Sequence, residues 1–298
     1  MLFSILIANY NNARYLQEAI DSIFEQTYCN WEVVVVDDKS TDNSYEIYER
    51  YKDDSRFHFY YNDKNRGCGY TKRRCAELAQ GELCGFLDPD DALMPKALET
   101  MVNTHNEHPE CSLIYSTCYR YAGDKSKEMP VWDYIGEIPG DSDFLIYQKK
   151  LVSHFATFKR ASYLLTDGID PSLKAAVDRD LYYRLEEVGT LLHVPAPLYY
   201  YRINNSHSIS IGSKDADERA HLYAIKSELN AITRRAGKNL FVRNRKEYLV
   251  YMRQILRVYY SSFLYQRKDF LRFAFCYVRA YKFNPHSFSH IYKITKGR

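Results

Sequence analysis

The sequence has no stretch that approaches the ~18 consecutive apolar residues of a membrane-spanning helix. It contains seven cysteines but no C-x-x-C pair. An odd number without that spacing argues against a disulfide framework or a zinc site and favours reduced thiols. The first residues carry no basic segment, and their apolar run ends early in asparagines, which predicts a first strand rather than a signal peptide. These absences predict a cytoplasmic protein that is not integral to a membrane.

Glycine-rich phosphate loops are also missing. Neither G-x-G-x-x-G nor G-x-x-x-x-G-K-[ST] follows any candidate strand, so a bound nucleotide must be held without a glycine cradle. Apolar runs at 3–8, 31–38, 57–62 and 83–88 alternate with segments of helical spacing. Alternation of strands and helices with short connections predicts an open, mostly parallel α/β sheet with helices on both faces.

Polar residues follow three of these strands, and the carboxyl ends of parallel strands are where such sheets bind ligands. The segment FLDPDD, residues 86–91, places three carboxylates within four positions. Neighbouring carboxylates repel one another, so a positive partner is expected there. An Asp-x-Asp cluster suits Mg²⁺ or Mn²⁺, which prefer carboxylate oxygens and share coordination with phosphates. The alternative is that these carboxylates only cap the helix expected over 93–106.

Four segments, in this order, resemble the motifs of family 2 glycosyltransferases of the GT-A fold. They are SILIANYNNARYLQEAIDSIFEQTYCNWEVVVVDDKSTDNS, NRGCGYTKRRCAELAQGELCGFLDPDD, VDRDLYYRL and PLYYYRINNSHSIS. The resemblance covers about residues 1–212 and implies a GT-A domain with a nucleotide-binding part over about 1–110 and an acceptor part over about 111–212. Residues 213–298 show no such match and are predicted to form a helical, basic tail.

The resemblance implies an enzyme that moves a sugar from a nucleotide-sugar, of the UDP type, to a saccharide or lipid-linked acceptor. The product would belong to a cell-surface polysaccharide or glycolipid, and transfer would invert the anomeric centre. Two other functions stay open: a phosphatase with an aspartate nucleophile in the Asp-x-Asp motif, and a metal-dependent sugar-binding module without catalysis.

The resemblance also implies roles for single residues. Asp178 matches the catalytic base of inverting members, although an aspartate there also suits a helix N-cap. Asp90 is the expected ligand of the divalent cation, Mn²⁺ or Mg²⁺, with Asp88 and His207 as further candidates. The residues expected to contact the donor are Ala8, Asn9, Tyr10, Asp38, Lys72, Asp88, Asp91 and Arg202.

Two departures from the family pattern affect the site. Lys72 and Arg73 occupy the family's Arg-Asn positions, which keeps positive charge near the diphosphate. Val177 replaces the glutamate that usually precedes the catalytic aspartate, so the common Glu-Asp pair is absent.

Charge is divided unequally along the chain. Residues 234–298 contain 16 Lys and Arg but two acids, about +14, whereas the remaining residues carry about −11. A basic segment with interleaved aromatic residues suits the surface of an anionic membrane, so peripheral contact with the inner face of the cell membrane is expected. The alternative is that these helices pack on the acidic domain or on a second subunit of a homo-oligomer. Nucleic acid is not expected as a partner, because no known binding module accompanies the charge.

Deletion of the chain from about residue 240 onward should release the protein from anionic liposomes in a sedimentation assay, because the basic amphipathic segment would be gone. Donor hydrolysis should be retained. Loss of folding, followed by circular dichroism, would show instead that the tail is a structural brace.

Overall fold

The computed structural model describes residues 1–123, 130–147, 149–203 and 214–237. His207 and the basic tail beyond residue 237 therefore lie outside the described residues. The elements are β1 Phe3–Asn9, α1 Ala13–Phe24, β2 Trp31–Asp37, α2 Ser44–Tyr48, β3 Phe57–Tyr61, α3 Cys68–Leu78, β4 Leu83–Phe86, β5 Ala92–Leu93, α4 Ala97–Glu107, β6 Cys111–Tyr121, β7 Ala156–Lys159, α5 Arg160–Leu164, α6 Val177–Glu186, β8 Thr190–Arg202 and α7 Lys214–Gly237.

The described strands form one eight-stranded sheet in the order β3-β2-β1-β4-β7-β6-β8-β5. The first four of these strands are parallel, and β6 also runs parallel to β8. The pairs β4–β7, β6–β7 and β5–β8 are antiparallel. The predicted α/β sheet, mostly parallel and flanked by helices, is confirmed, with antiparallel pairing added in its second half.

The first half of the sheet follows directly from residue type. Every residue of β2 is buried, as its continuous β-branched run requires of a strand covered on both faces. Helix α1 buries Leu16, Ala19, Ile20 and Ile23 on one side, the spacing of an amphipathic helix.

Residue type alone does not predict the second half of the sheet. The segment around Pro195 forms a single strand, β8, whose register against β6 shifts between Ser116 and Thr117. A bulge accommodates Pro195, which has no N–H to give to the ladder. Strands β6 and β7 were not predicted.

The strand ends bring the polar residues to one edge. Asn9 and Asp37 are paired in register at the ends of β1 and β2, and Asp88 follows β4 closely. The chain turns sharply after β1 and after β2, with left-handed backbone at Asn11 (φ 55°) and Lys39 (φ 69°). These turns keep the connecting loops short and leave the edge of the sheet open.

Helix α7 lies in the predicted tail region and packs against α6 through buried ion pairs. Arg234 Nε lies 3.0 Å from Glu187 Oε1, and Arg235 Nη2 lies 2.6 Å from Glu186 Oε2. Arg234 also reaches Asp180 at 3.3 Å. The packing alternative for the basic, aromatic-rich segment concerns residues beyond 237, which lie outside the described residues. Within the described part of the chain, no helix has the length and apolar character needed to cross a membrane.

His105 of α4 is buried, and its Nε2 lies 3.1 Å from Thr157 Oγ1 on β7. Burial lowers the pKa of His105 to about 4, from 6.5. Between pH 6.5 and pH 4 the ring therefore stays neutral in the folded protein but binds a proton in the unfolded chain. The resulting stability is complete above pH 6.5 and is lost as the pH falls toward 4.

We expect His105→Gln to lose less unfolding free energy than the wild-type protein when the pH is lowered. Glutamine can still donate a hydrogen bond to Thr157, but it cannot bind a proton in the unfolded chain. Between pH 7 and pH 5 the wild-type protein should lose about 2 kcal/mol of unfolding free energy more than the variant does. Urea unfolding at both pH values measures the difference. His108→Gln, at the exposed end of the same helix, is the matched control. Equal acid losses in wild type and His105→Gln would refute the assignment.

Candidate active site

A cleft of about 1080 Å³ opens along the carboxyl edge of the sheet. Its wall includes residues from the ends of β1, β2 and β4, from α3 and from the start of α6. The predicted site residues that line it are Ala8, Asn9, Tyr10, Asp38, Lys72, Asp88, Asp90, Asp91 and Asp178. Sequence positions far apart are thus brought into one cleft.

The carboxylate of Asp38 is held rigidly at one end of the cleft. It accepts hydrogen bonds of 2.7 Å from the Asn62 side chain and from the backbone N–H groups of Arg66 and Gly67. Gly67 has φ 90°, a backbone conformation that glycine adopts readily. Asp38 therefore anchors the loop before α3, and its contact with a nucleotide base stays a prediction.

Asn9 and Tyr10 differ in how they face the cleft. The Asn9 amide points inward and donates to Tyr48 Oη at 2.7 Å and Ser44 Oγ at 2.9 Å. The Asn9 amide nitrogen is thus bonded to buried partners, and the contact of Asn9 with the donor stays a prediction. The Tyr10 ring is 46% exposed at the mouth of the cleft, where a planar base can contact it.

Asp91 fastens the FLDPDD segment to β8. Its carboxylate accepts from Tyr199 Oη and from the backbone N–H of Arg202, both at 2.8 Å. Burial, reinforced by Asp90 and Asp88, raises the pKa of Asp91 well above its ordinary value. Asp91 therefore fixes the position of the loop, and its predicted contact with the sugar is not needed to explain its burial.

Arg202 also stabilises the FLDPDD segment. Its Nε donates to the Asp90 carbonyl oxygen at 2.7 Å, and its guanidinium pairs with Glu18. The guanidinium carbon lies 4.4 Å from the ring centroid of Tyr15 and 4.5 Å from that of Tyr121. Arg202 is not among the residues of the cleft wall in the described part of the chain. This geometry supports a bracing role, and the contact of Arg202 with the donor stays a prediction.

The centre of the cleft is a bridge of three charges. Lys72 Nζ lies 2.8 Å from Asp178 Oδ1 and 2.9 Å from Asp88 Oδ1. Burial opposes the charged form of Lys72, but Asp178 and Asp88 raise its pKa well above the ordinary value. Burial likewise opposes the charge on Asp88, yet Lys72 and His154 lower the pKa of Asp88 below its ordinary value. The contacts within the bridge therefore favour the charged forms of Lys72 and Asp88.

Asp178 lies in the first turn of α6, but it is not the cap. The helix begins at Val177, the cap position is Ala176 with φ 54°, and no side chain caps this end. The N-cap alternative for Asp178 is therefore wrong. The carboxylate is directed to Lys72, and the positive end of the helix dipole also favours its charge. On the same helix, Arg184 Nε lies 2.8 Å from Asp180 Oδ2, a pair of opposite charges four residues apart.

His154 is a site residue that the sequence did not reveal. Its Nε2 lies 3.7 Å from Asp88 Oδ2, and its ring stacks on Tyr199 with centroids 5.1 Å apart. It lies outside the quoted motifs and just before β7, in a stretch without periodicity, so no sequence signal marks it.

Asp88, His154 and Asp178 form a group that could hold a metal ion. One ligand atom from each lies within 4.8 Å of the others. Two carboxylates with one imidazole fit a divalent cation such as Mn²⁺. Asp88 belongs both to this group and to the predicted ligands. Asp90 lines the cleft, and its metal role stays a prediction.

The family model described as "Glycosyl transferase family 2" matches residues 4–165. Chondroitin synthase of Escherichia coli is 29% identical over 238 residues, which are 78% of this chain and 33% of that protein. Hyaluronan synthase of Pasteurella multocida is 28% identical over 230 residues, or 77% of this chain and 23% of that protein. The chain thus spans a third or less of the length of these relatives.

Two solved structures share the fold. Staphylococcus aureus TarS 1-349, in complex with UDP-GlcNAc, has a TM-score of 0.65 at 18% identity, covering 94% of this chain and 81% of that one. Mannosyltransferase PcManGT from Pyrobaculum calidifontis, in complex with GDP-Man and Mn²⁺, has a TM-score of 0.54 at 17% identity, covering 94% and 86%. At these identities the likeness establishes a GT-A-like fold.

Asp88→Ala should lower Mn²⁺ affinity, measured by electron paramagnetic resonance with UDP present, by more than about tenfold, because Asp88 is common to both ligand sets. Asp90→Ala and His154→Ala then distinguish the predicted ligand Asp90 from the observed group that contains His154. The variant whose Mn²⁺ affinity falls as much as that of Asp88→Ala identifies the second ligand. Asp53→Ala, an exposed acid elsewhere, is the control. Wild-type affinity in Asp88→Ala would remove the metal assignment.

Proposed function

The chain belongs to glycosyl transferase family 2, and from that premise we propose that it transfers a sugar from a UDP-linked donor to a saccharide or lipid-linked acceptor. The acceptor would be part of a growing surface polysaccharide. The observation that carries the proposal is that Lys72 pairs with both Asp178 and Asp88 on the wall of one cleft. A base, a cation and a metal-binding acid are what displacement of a diphosphate requires.

The donor would lie along the edge of the sheet. Asp38 and Tyr10 stand at the end suited to the base, and Asp88 and Lys72 stand where the diphosphate would reach. Fixed donors and charges in such a cleft need no reorganisation during the reaction. The UDP-GlcNAc complex of TarS, which has the same fold, supports a UDP-linked donor.

Asp178 would act as the general base. Its carboxylate takes the proton of the acceptor hydroxyl while the oxygen forms a bond to the anomeric carbon. The bond from that carbon to the diphosphate oxygen breaks, and its electron pair leaves with the diphosphate. Attack opposite the leaving group inverts the anomeric centre, and general-base catalysis of this kind contributes about 10²–10⁴-fold.

Lys72 is a cation on the cleft wall that can meet the leaving group. Its ammonium carries three donors on a flexible stem, so it can follow charge as it develops on the diphosphate. Asp88, with His154 or Asp90, would hold the divalent cation, which when bound supplies Lewis-acid neutralisation of the same charge.

The acceptor side has an aromatic wall. Tyr201 lines the cleft, and the Trp132 ring centroid lies 5.4 Å from that of Tyr201. Aromatic faces suit the apolar faces of sugar rings. The relatedness to chondroitin and hyaluronan synthases supports a polysaccharide acceptor.

The proposal predicts that one UDP-sugar in a panel of UDP-, GDP- and CMP-sugars with Mn²⁺ raises the melting temperature, because ligands that bind the native state stabilise it. With that donor, Asp178→Asn should lose about 10²–10⁴-fold in transfer rate while keeping donor affinity. Asp53→Asn is the isosteric control at an exposed site.

No stabilisation by any nucleotide-sugar would contradict the proposed function. Unchanged transfer in Asp178→Asn would contradict only the assignment of the base. Sugar binding without transfer, unaffected by Asp178→Asn, would favour the non-catalytic binding module.

A further inference from the structure

Lys72 already occupies the position of a cation in the cleft. Its ammonium touches one oxygen of Asp88 and one of Asp178, which are two of the three groups that could hold a metal. The side chain is only 4% exposed, and Nζ lies 4.9 Å from the ring centroid of Phe86. The ammonium is thus seated in a built site and is not a loose surface charge.

A divalent cation bound by Asp88 would share that carboxylate with the Lys72 ammonium. Mg²⁺, for example, binds carboxylate oxygen at about 2.0–2.1 Å. With the ammonium still on the same carboxylate, two cations would lie within a few ångströms of each other in a buried site, where their repulsion is large. The conflict holds for either ligand set, because Asp88 belongs to both.

We propose that the Lys72 ammonium and the divalent cation compete for Asp88, and that arrival of the donor diphosphate draws Lys72 away and opens the metal site. The second half of this inference rests on the proposed function. Before the donor binds, Lys72 forms ion pairs with both Asp88 and Asp178. Asp178, the general base, is therefore bound to Lys72 and not to an acceptor. Once phosphate oxygens accept the hydrogen bonds of the Lys72 ammonium, Asp88 is free to bind the metal. Asp178 is then free to accept the proton of the acceptor hydroxyl.

The exchange gives Lys72 a role with a defined thermodynamic signature. Metal and diphosphate should each tighten the binding of the other, because a coupling free energy between two ligands is reciprocal. Lysine suits the task, since its point charge on a four-carbon stem can move between partners. Because Lys72 leaves only when the diphosphate binds, Asp178 would also stay paired with Lys72 until a donor is present.

The test is a Mn²⁺ titration followed by electron paramagnetic resonance, without nucleotide and with saturating UDP. UDP should tighten Mn²⁺ binding to the wild-type protein by about tenfold or more. Without UDP, Lys72→Met should bind Mn²⁺ about tenfold or more tightly than wild type, because the competing cation is gone. UDP should enhance metal binding less in the variant than in the wild-type protein, because only the direct contact between metal and phosphate then couples the two ligands. The affinity of the variant for UDP should also fall. Lys96→Met, at an exposed lysine, should behave as wild type.

Folding of Lys72→Met is checked by thermal unfolding. If the single variant does not fold, Lys72→Met combined with Asp178→Asn removes one charge of each sign. That double variant should bind Mn²⁺ more tightly than Asp178→Asn alone.

Unchanged or weaker metal affinity on loss of Lys72, with UDP binding intact in the wild type, would overturn the inference and leave the proposed function standing. A wild-type protein that binds Mn²⁺ but not UDP would contradict the proposed function and the coupling. The comparison of Mn²⁺ affinities without nucleotide would still decide whether Lys72 competes for Asp88.

Discussion

The ionic bridge from Asp88 through Lys72 to Asp178 is the constraint on which the rest of the structure depends. Its members come from the loop after β4, from α3 and from the first turn of α6. Leaving the buried Lys72 ammonium without these partners would cost several kcal/mol, because an isolated buried charge is poorly solvated. The fold must therefore hold three distant segments at fixed separations, and much of the polar packing around the cleft serves that end.

Two braces hold these segments in place. Asp91, Tyr199 and Arg202 fasten the loop of Asp88 and Asp90 to β8. Helix α7 holds α6, which carries Asp178, through Arg234 and Arg235. Helix α6, β8 and α7 all lie beyond the family match over residues 4–165. The base of the proposed reaction is thus positioned by a part of the chain outside the matched region.

The carboxyl-edge location of the site could be predicted because strand ends and residue types are local properties. FLDPDD, Asp38, Lys72 and Asp178 were all expected near one another, and the structure brings them to one cleft. The direction of each side chain could not be predicted, since it depends on tertiary packing. Asn9 turns inward and Arg202 turns behind the loop. His154 and strands β6 and β7 lay outside the predicted elements, because nonlocal pairing and irregular backbone leave little periodicity in a sequence.

The central claim is that this cleft binds a metal and a diphosphate beside Asp88 while Lys72 moves onto the phosphate. Anomalous scattering from a crystal grown with Mn²⁺ and UDP tests it most directly. On this account the manganese peak lies next to the Asp88 carboxylate, and the Lys72 ammonium contacts a phosphate oxygen in place of Asp88. A cleft without manganese, or a Lys72 that still bridges Asp88 and Asp178 beside a bound nucleotide, would contradict it.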